Sequence, residues 1–86
     1  MNIKRKKEIR KQFGAYLKKH REDVLRIGSV RQLSFLSNLD QSKLSKLEKG
    51  QIDFRFDTLI EIVATYKLKP KNLLGFDIIF LDKEAE

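Results

Sequence analysis

Ser29-Val30-Arg31-Gln32-Leu33-Ser34-Phe35-Leu36-Ser37-Asn38-Leu39-Asp40-Gln41-Ser42-Lys43-Leu44-Ser45-Lys46-Leu47-Glu48-Lys49-Gly50 packs two helix starts and one helix stop into a single short stretch. Ser29 and Gln32 form a capping box: the hydroxyl accepts from the backbone N–H at Gln32, and the Gln side chain reaches back. Leu33 and Leu36 supply the apolar stripe of the helix that follows. Asn38 tolerates the backbone of a sharp turn better than most residues. Asp40 caps a second helix, where a carboxylate suits the positive end of the helix dipole. Leu44 and Leu47 face inward, and Lys49-Gly50 ends the helix. Two short helices joined by Ser37-Asn38-Leu39 have the layout of a helix-turn-helix.

Working outward, Ile9, Phe13, Leu17 and Val24 recur at helical spacing, with Tyr16 and His20 beside them. They predict a first helix over about Lys6 to Leu25, closed near Gly28. Beyond Gly50, a connection from Gln51 to Arg55 leads to a fourth helix, with Phe56, Leu59, Ile62, Val63 and Tyr66 inward. Pro70 suits the first position of a fifth helix, in which Leu73 and Leu74 pack and Gly75 is the stop. The expected fold is an all-α, five-helix domain over 1–76, followed by an apolar extension over 77–86. Periodicity does not decide between strand and helix for Phe76 to Leu81.

Composition narrows the function. The chain has 86 residues, no cysteine and a net charge of +7. One domain is expected, with no disulfide or thiolate metal site, and a cytoplasmic setting is the simple expectation. No apolar run is long enough to span a bilayer, and the N-terminus lacks the apolar core of a signal peptide. Residues 1–21 hold nine basic side chains against one acidic, whereas the remainder holds ten against eleven. Positive charge gathered at one end suits a polyanion. No glycine-rich phosphate loop or cysteine nucleophile occurs, and the single histidine has no serine-activating partner. No enzyme activity, cofactor or metal is expected; His20 is expected as a half-buried, hydrogen-bonded imidazole.

The same residues carry a resemblance. Ser34, Asn38, Leu44, Leu47, Glu48 and Gly50 stand where the helix-turn-helix of the lambda-repressor/Cro-like superfamily, often called the XRE family, places a small residue, a turn Gly or Asn, an aliphatic pair and a closing Glu-x-Gly. Phe13-Gly14-x-x-Leu17-x-x-x-Arg21 resembles that family's first helix. Thr58-Leu59-x-x-Ile62-Val63 and Pro70-x-x-Leu73-Leu74 resemble its fourth and fifth, so the likeness covers roughly residues 7–76. Val30 departs from the family's usual Gln, whose phosphate contact would pass to Arg31 or Gln32. The loop before Ser29 is also about two residues longer than is usual, by the register of these motifs. The resemblance implies a cytoplasmic transcriptional regulator of repressor or controller type, with its third helix in the major groove of double-stranded DNA. It also implies an ion pair between Arg21 and Glu48.

On its own terms, the third helix turns Gln41, Ser42, Ser45, Lys46 and Lys49 into an arc of roughly 140°, opposite Leu44 and Leu47. Gln pairs bidentately with adenine, Ser suits donor or acceptor edges, and Lys reaches guanine or a phosphate. The expected base-reading residues are Gln41, Ser42, Ser45 and Lys46. The expected phosphate contacts are Lys6, Lys7, Arg31, Lys43, Lys49, Gln51 and Arg55. Phe76, Ile78, Ile79, Phe80 and Leu81 are apolar enough to form a homodimer interface, which would match a palindromic operator; the alternative is that they fold back onto the first or fifth helix and complete the core. The alternative is an antitoxin-like module whose main partner is another protein, with DNA binding secondary.

Overall fold

The computed structural model describes residues 2–68, together with the backbone of 72–73 and 76–77. Its described regular structure is helical apart from one short ladder. Helix α1 spans Ile3–Asp23, α2 Val30–Ser34, α3 Gln41–Glu48 and α4 Phe56–Thr65. Strands β1 (Asn72–Leu73) and β2 (Phe76–Asp77) pair antiparallel, with Leu73 opposite Phe76.

Side-chain caps start the first three helices. The Oδ1 of Asn2 accepts from the Arg5 amide at 2.8 Å, the Ser29 hydroxyl from Gln32 at 3.2 Å, and Asp40 from Lys43 at 2.7 Å. The box at Ser29 is displaced by one residue, because Gln32 reaches back to the amide of Gly28. Helices α3 and α4 end alike. After α3, Gly50 takes φ 69°, and the Gln51 amide returns to the Lys46 carbonyl at 2.9 Å. After α4, Lys67 takes φ 50°, and the Leu68 amide returns to Val63 at 3.1 Å. Both closures satisfy carbonyls that a helix end would otherwise leave unpaired.

The core is Leu17, Leu33, Leu39, Leu44, Leu47, Ile62 and Tyr66, flanked by half-buried Phe13, Leu25, Ile27, Val30, Ile52, Phe54 and Leu68. Several expectations change here. Ile9 and Val24 are 48% and 63% exposed, because α1 buries the stripe of Phe13, Gly14, Leu17 and Arg21 instead. Leu36 is 75% exposed: α2 stops at Ser34, and Leu39 takes the inward place. Phe56 begins α4 with half its surface exposed. Asn38 is absent from the left-handed residues, which among those described are Arg26, Lys67 and Gly50. Its side chain instead donates to Glu61 at 3.3 Å. Beside it, the Ser37 hydroxyl accepts from the Leu39 amide and pairs with the hydroxyl of Thr65, each at 2.8 Å. The turn is thus held by α4 rather than by a special backbone angle.

The expected fifth helix gives way to β1 and β2. A helix between Pro70 and Gly75 would have scarcely one turn to offset its nucleation cost, and the aromatic and β-branched run after Gly75 favours extended chain. Ile78, Ile79, Phe80 and Leu81, expected at a dimer interface, lie outside the described residues, and Phe76 is described in its backbone alone.

Gly14 sets how closely α1 approaches α3. A Cβ there would touch the carbonyl oxygen of Leu47, and it would lie 2.5 Å from the carbonyl oxygen and 2.8 Å from the carbonyl carbon of Glu48. These are backbone atoms and cannot swing aside. By helix propensity alone, Gly14→Ala would stabilise by about 1 kcal/mol. Forcing two backbones apart in a packed interior costs about 1–3 kcal/mol or more, so the variant is expected to be the less stable. Urea unfolding decides the sign: a lower midpoint at unchanged slope is the expected result, and a raised midpoint would show that the helices do not meet so closely.

Candidate functional site

Closing α1 onto the end of α3 places two charged side chains in the interior. Arg21 donates from Nε to Glu48 Oε2 at 2.8 Å and from Nη2 to Oε1 at 2.9 Å. The two side chains are only 5% and 6% exposed. The remaining guanidinium nitrogen, Nη1, donates to the Ile27 carbonyl at 2.9 Å. Tyr66, fully buried, donates its hydroxyl to Glu48 Oε2 at 2.8 Å. One carboxylate therefore ties the last turn of α3 to α1, to the loop before α2, and to the end of α4. The planar fork of Arg suits this task, since it holds both carboxylate oxygens and keeps a donor free. The hydrogen bond to Glu48 raises the Arg21 pKa above its ordinary value, with burial pulling the other way. Burial pushes the Tyr66 phenol well above its usual range, and the bond to Glu48 adds to the effect.

The opposite face of α3 is open. Gln41, Ser42, Ser45, Lys46, Lys49 and Gln51 line one concavity together with Asp40. Gln41, Ser42 and Lys46 are exposed, and Ser45 is half-buried one turn along. Asp40 adds one acid to this lining, but its carboxylate already caps α3 by accepting from the Lys43 amide. A second recess, lined by Asp40, Ser42, Lys43, Lys46 and Ile52, adjoins the first through shared residues and places half-buried Lys43 at its side. Lys49 and Gln51 flank Gly50, where a Cβ would lie 2.6 Å from the Lys11 Cα and 2.9 Å from the Arg10 carbonyl carbon. The end of α3 therefore rests on α1 beside Arg10 and Lys11. Lys6 and Lys7 are exposed on the opening turns of α1. Arg31 and Arg55 are exposed but line neither recess.

Two expected features differ. His20 is half-buried, but its Nε2 has no hydrogen-bond partner among the described residues, and its ring lies 5.9 Å from that of Tyr16. Tyr66 was expected only as an apolar core residue. Its hydroxyl is a signal in itself, since a buried phenol has to find an acceptor. No group of three metal-ligating side chains occurs among the described residues, and no described helix is long and apolar enough to cross a membrane. No family model, curated protein or solved structure matches the chain.

Arg21→Ala leaves a buried carboxylate with one donor and is expected to cost about 3–5 kcal/mol, as breaking a buried ion pair does. Tyr66→Phe keeps the pair and removes one bond to a charged group, for about 1.5–3 kcal/mol. Chemical denaturation at neutral pH checks both; equal losses would mean that Tyr66 matters as much as the pair itself. The raised phenol pKa gives a sign for the pH dependence. The unfolded tyrosine ionises near pH 10 while the folded one stays protonated. The stabilisation is therefore complete below about pH 10 and is lost as pH rises further. Wild type is expected to lose stability above about pH 10 more steeply than Tyr66→Phe; parallel profiles would contradict the buried hydroxyl.

Proposed function

We propose that the protein is a sequence-specific binder of double-stranded DNA, acting as a transcriptional regulator of the XRE kind in the cytoplasm. Helices α2 and α3, with the braced connection from Phe35 to Asp40, serve as its helix-turn-helix. The observation that carries this reading is the pairing of opposite faces on α3. One face is locked to the body through Leu44, Leu47 and Glu48. The other offers Gln41, Ser42, Ser45 and Lys46 on an open concavity. Base reading needs polar side chains of this kind on a helix whose pose is fixed before DNA arrives. Lys43, Lys49 and Gln51 stand at the margins, where phosphates pass a helix seated in the major groove.

A single domain of this size reads few base pairs, so the proposal includes two copies on a palindromic operator, joined through the C-terminal segment. A protein-interaction module of the antitoxin kind is the second reading. Adjacent Phe35 and Leu36, 74% and 75% exposed, are the observation in its favour.

Selection of bound duplexes from random DNA tests the proposal. An enriched site, palindromic if two copies bind, is expected; a pool with no preferred sequence would remove base reading. On the enriched site, Gln41→Ala is expected to relax preference at one base position by about 1–3 kcal/mol while other positions keep theirs. Uniform weakening on every sequence would show that Gln41 does not read a base.

A further inference from the structure

Beyond the Asn2 cap, the first turns of α1 carry features that work against helix stability. The helix begins at Ile3, yet residues 2–9 are all exposed, and the first buried residue is Gly14. No acidic residue occupies the first turn, while Lys4, Arg5, Lys6 and Lys7 follow one another. Cations at a helix N-terminus oppose the dipole. Lys4 with Lys7, and Lys7 with Lys11, are also like charges at neighbouring helical spacings, which repel; Glu8, four residues after Lys4 and three before Lys11, is the one acid beside the row and offsets this only in part. Local costs of this kind, with no packing gained in return, are characteristic of sites selected for something other than stability.

Geometry indicates what the cations face. On a helical projection, Lys7, Lys11 and Lys4 lie about 20°, 60° and 80° from Gly14, the residue that meets the end of α3. Leu17 and Phe13 lie on the other side of Gly14, toward the core. The three lysines thus form one narrow row on the solvent side of the α1–α3 contact. Lys11 itself adjoins Gly50, whose neighbours Lys49 and Gln51 line the α3 concavity. Arg5, Lys6 and Lys19 point about 180°, 80° and 140° away from Gly14, with Lys6 on the opposite side of Gly14 from the row, so that Lys6, expected from the sequence as a phosphate contact, falls outside it.

We propose that Lys4, Lys7 and Lys11 form a rigid phosphate-binding ridge that follows the backbone of the duplex beyond the segment met by α3. The ridge rests on the DNA-binding reading above and specifies which of the many basic residues serve it. From Lys11 to Lys4 it extends about 10 Å along the helix, the length of about three base-pair steps. Its ligand is the phosphodiester backbone, so it adds affinity and register without sequence preference. Because the row is helical before DNA arrives, no arm has to be ordered on binding. Bound phosphates would also relieve the crowded charge.

The test compares two triple variants of equal charge, K4Q/K7Q/K11Q and R5Q/K6Q/K19Q, in the full chain. All six positions are exposed, and circular dichroism verifies that both variants keep the helical fold. Affinity for a fluorescent duplex of mixed sequence is measured over a range of salt concentrations. The ridge variant is expected to flatten the slope of log K against log salt by about 2 to 3, close to one per contact removed, and the comparison variant by less than about 1. Equal flattening by both would overturn the ridge and leave only diffuse attraction, even if sequence selection succeeds. A ridge-dependent slope with no enriched sequence would instead remove base reading and keep the ridge. Absence of duplex binding by the wild type would end both.

Discussion

Burial of the Glu48 carboxylate governs how α1, α3 and α4 meet. A buried anion is tolerable only when its charge is matched and its lone pairs are occupied. Here Arg21 supplies two donors and Tyr66 a third. Those donors come from α1 and from the end of α4, so satisfying one side chain fixes three helices against one another. Arg21 also holds the Ile27 carbonyl, which anchors the loop leading into α2. Replacing the cluster with apolar residues of similar volume could match its stability. It would not reproduce the directional bonds that set the angle of α3.

Two glycines let that cluster close. Gly14 allows the backbone of α1 to reach the last carbonyls of α3, and Gly50 turns the chain away without striking Arg10 and Lys11. The result is an asymmetric third helix. Its inner face is fixed by leucines and the carboxylate, and its outer face is left to Gln41, Ser42, Ser45 and Lys46. The α2–α3 connection is held on its far side by Ser37 with Thr65 and Asn38 with Glu61. The outer face is thus carried on a pre-set scaffold, as a surface that discriminates by hydrogen bonding requires.

Much of this was legible in residues whose role is local. Ser29 and Asp40 announce their caps, Gly50 announces the end of α3, and Leu44 and Leu47 announce its inner face, because each acts within a few residues of itself. Roles set by distant contacts were harder to see. Nothing near Asn38 in sequence shows that Glu61 will meet it, and its turn-forming character suggested a backbone role instead. Leu36 sits at proper helical spacing, but α2 ends two residues early, at Ser34, and exposes it, leaving Leu39 to complete the core. Tyr66 fits the apolar stripe of α4, so the pattern explains its ring and hides the role of its hydroxyl. The segment after Pro70 offered a plausible single helical turn, and strand pairing between Leu73 and Phe76 won because so short a helix has little to stabilise it.

Binding of DNA by the free face of α3 can be read residue by residue from amide chemical shifts, with the isotope-labelled full chain titrated by a duplex of mixed sequence. The largest changes are expected at Gln41, Ser42, Ser45, Lys46, Lys49 and Gln51, smaller ones at Lys4, Lys7 and Lys11, and little along α4. Changes centred on Phe35 and Leu36, or spread evenly over every basic residue, would rule out binding by that face.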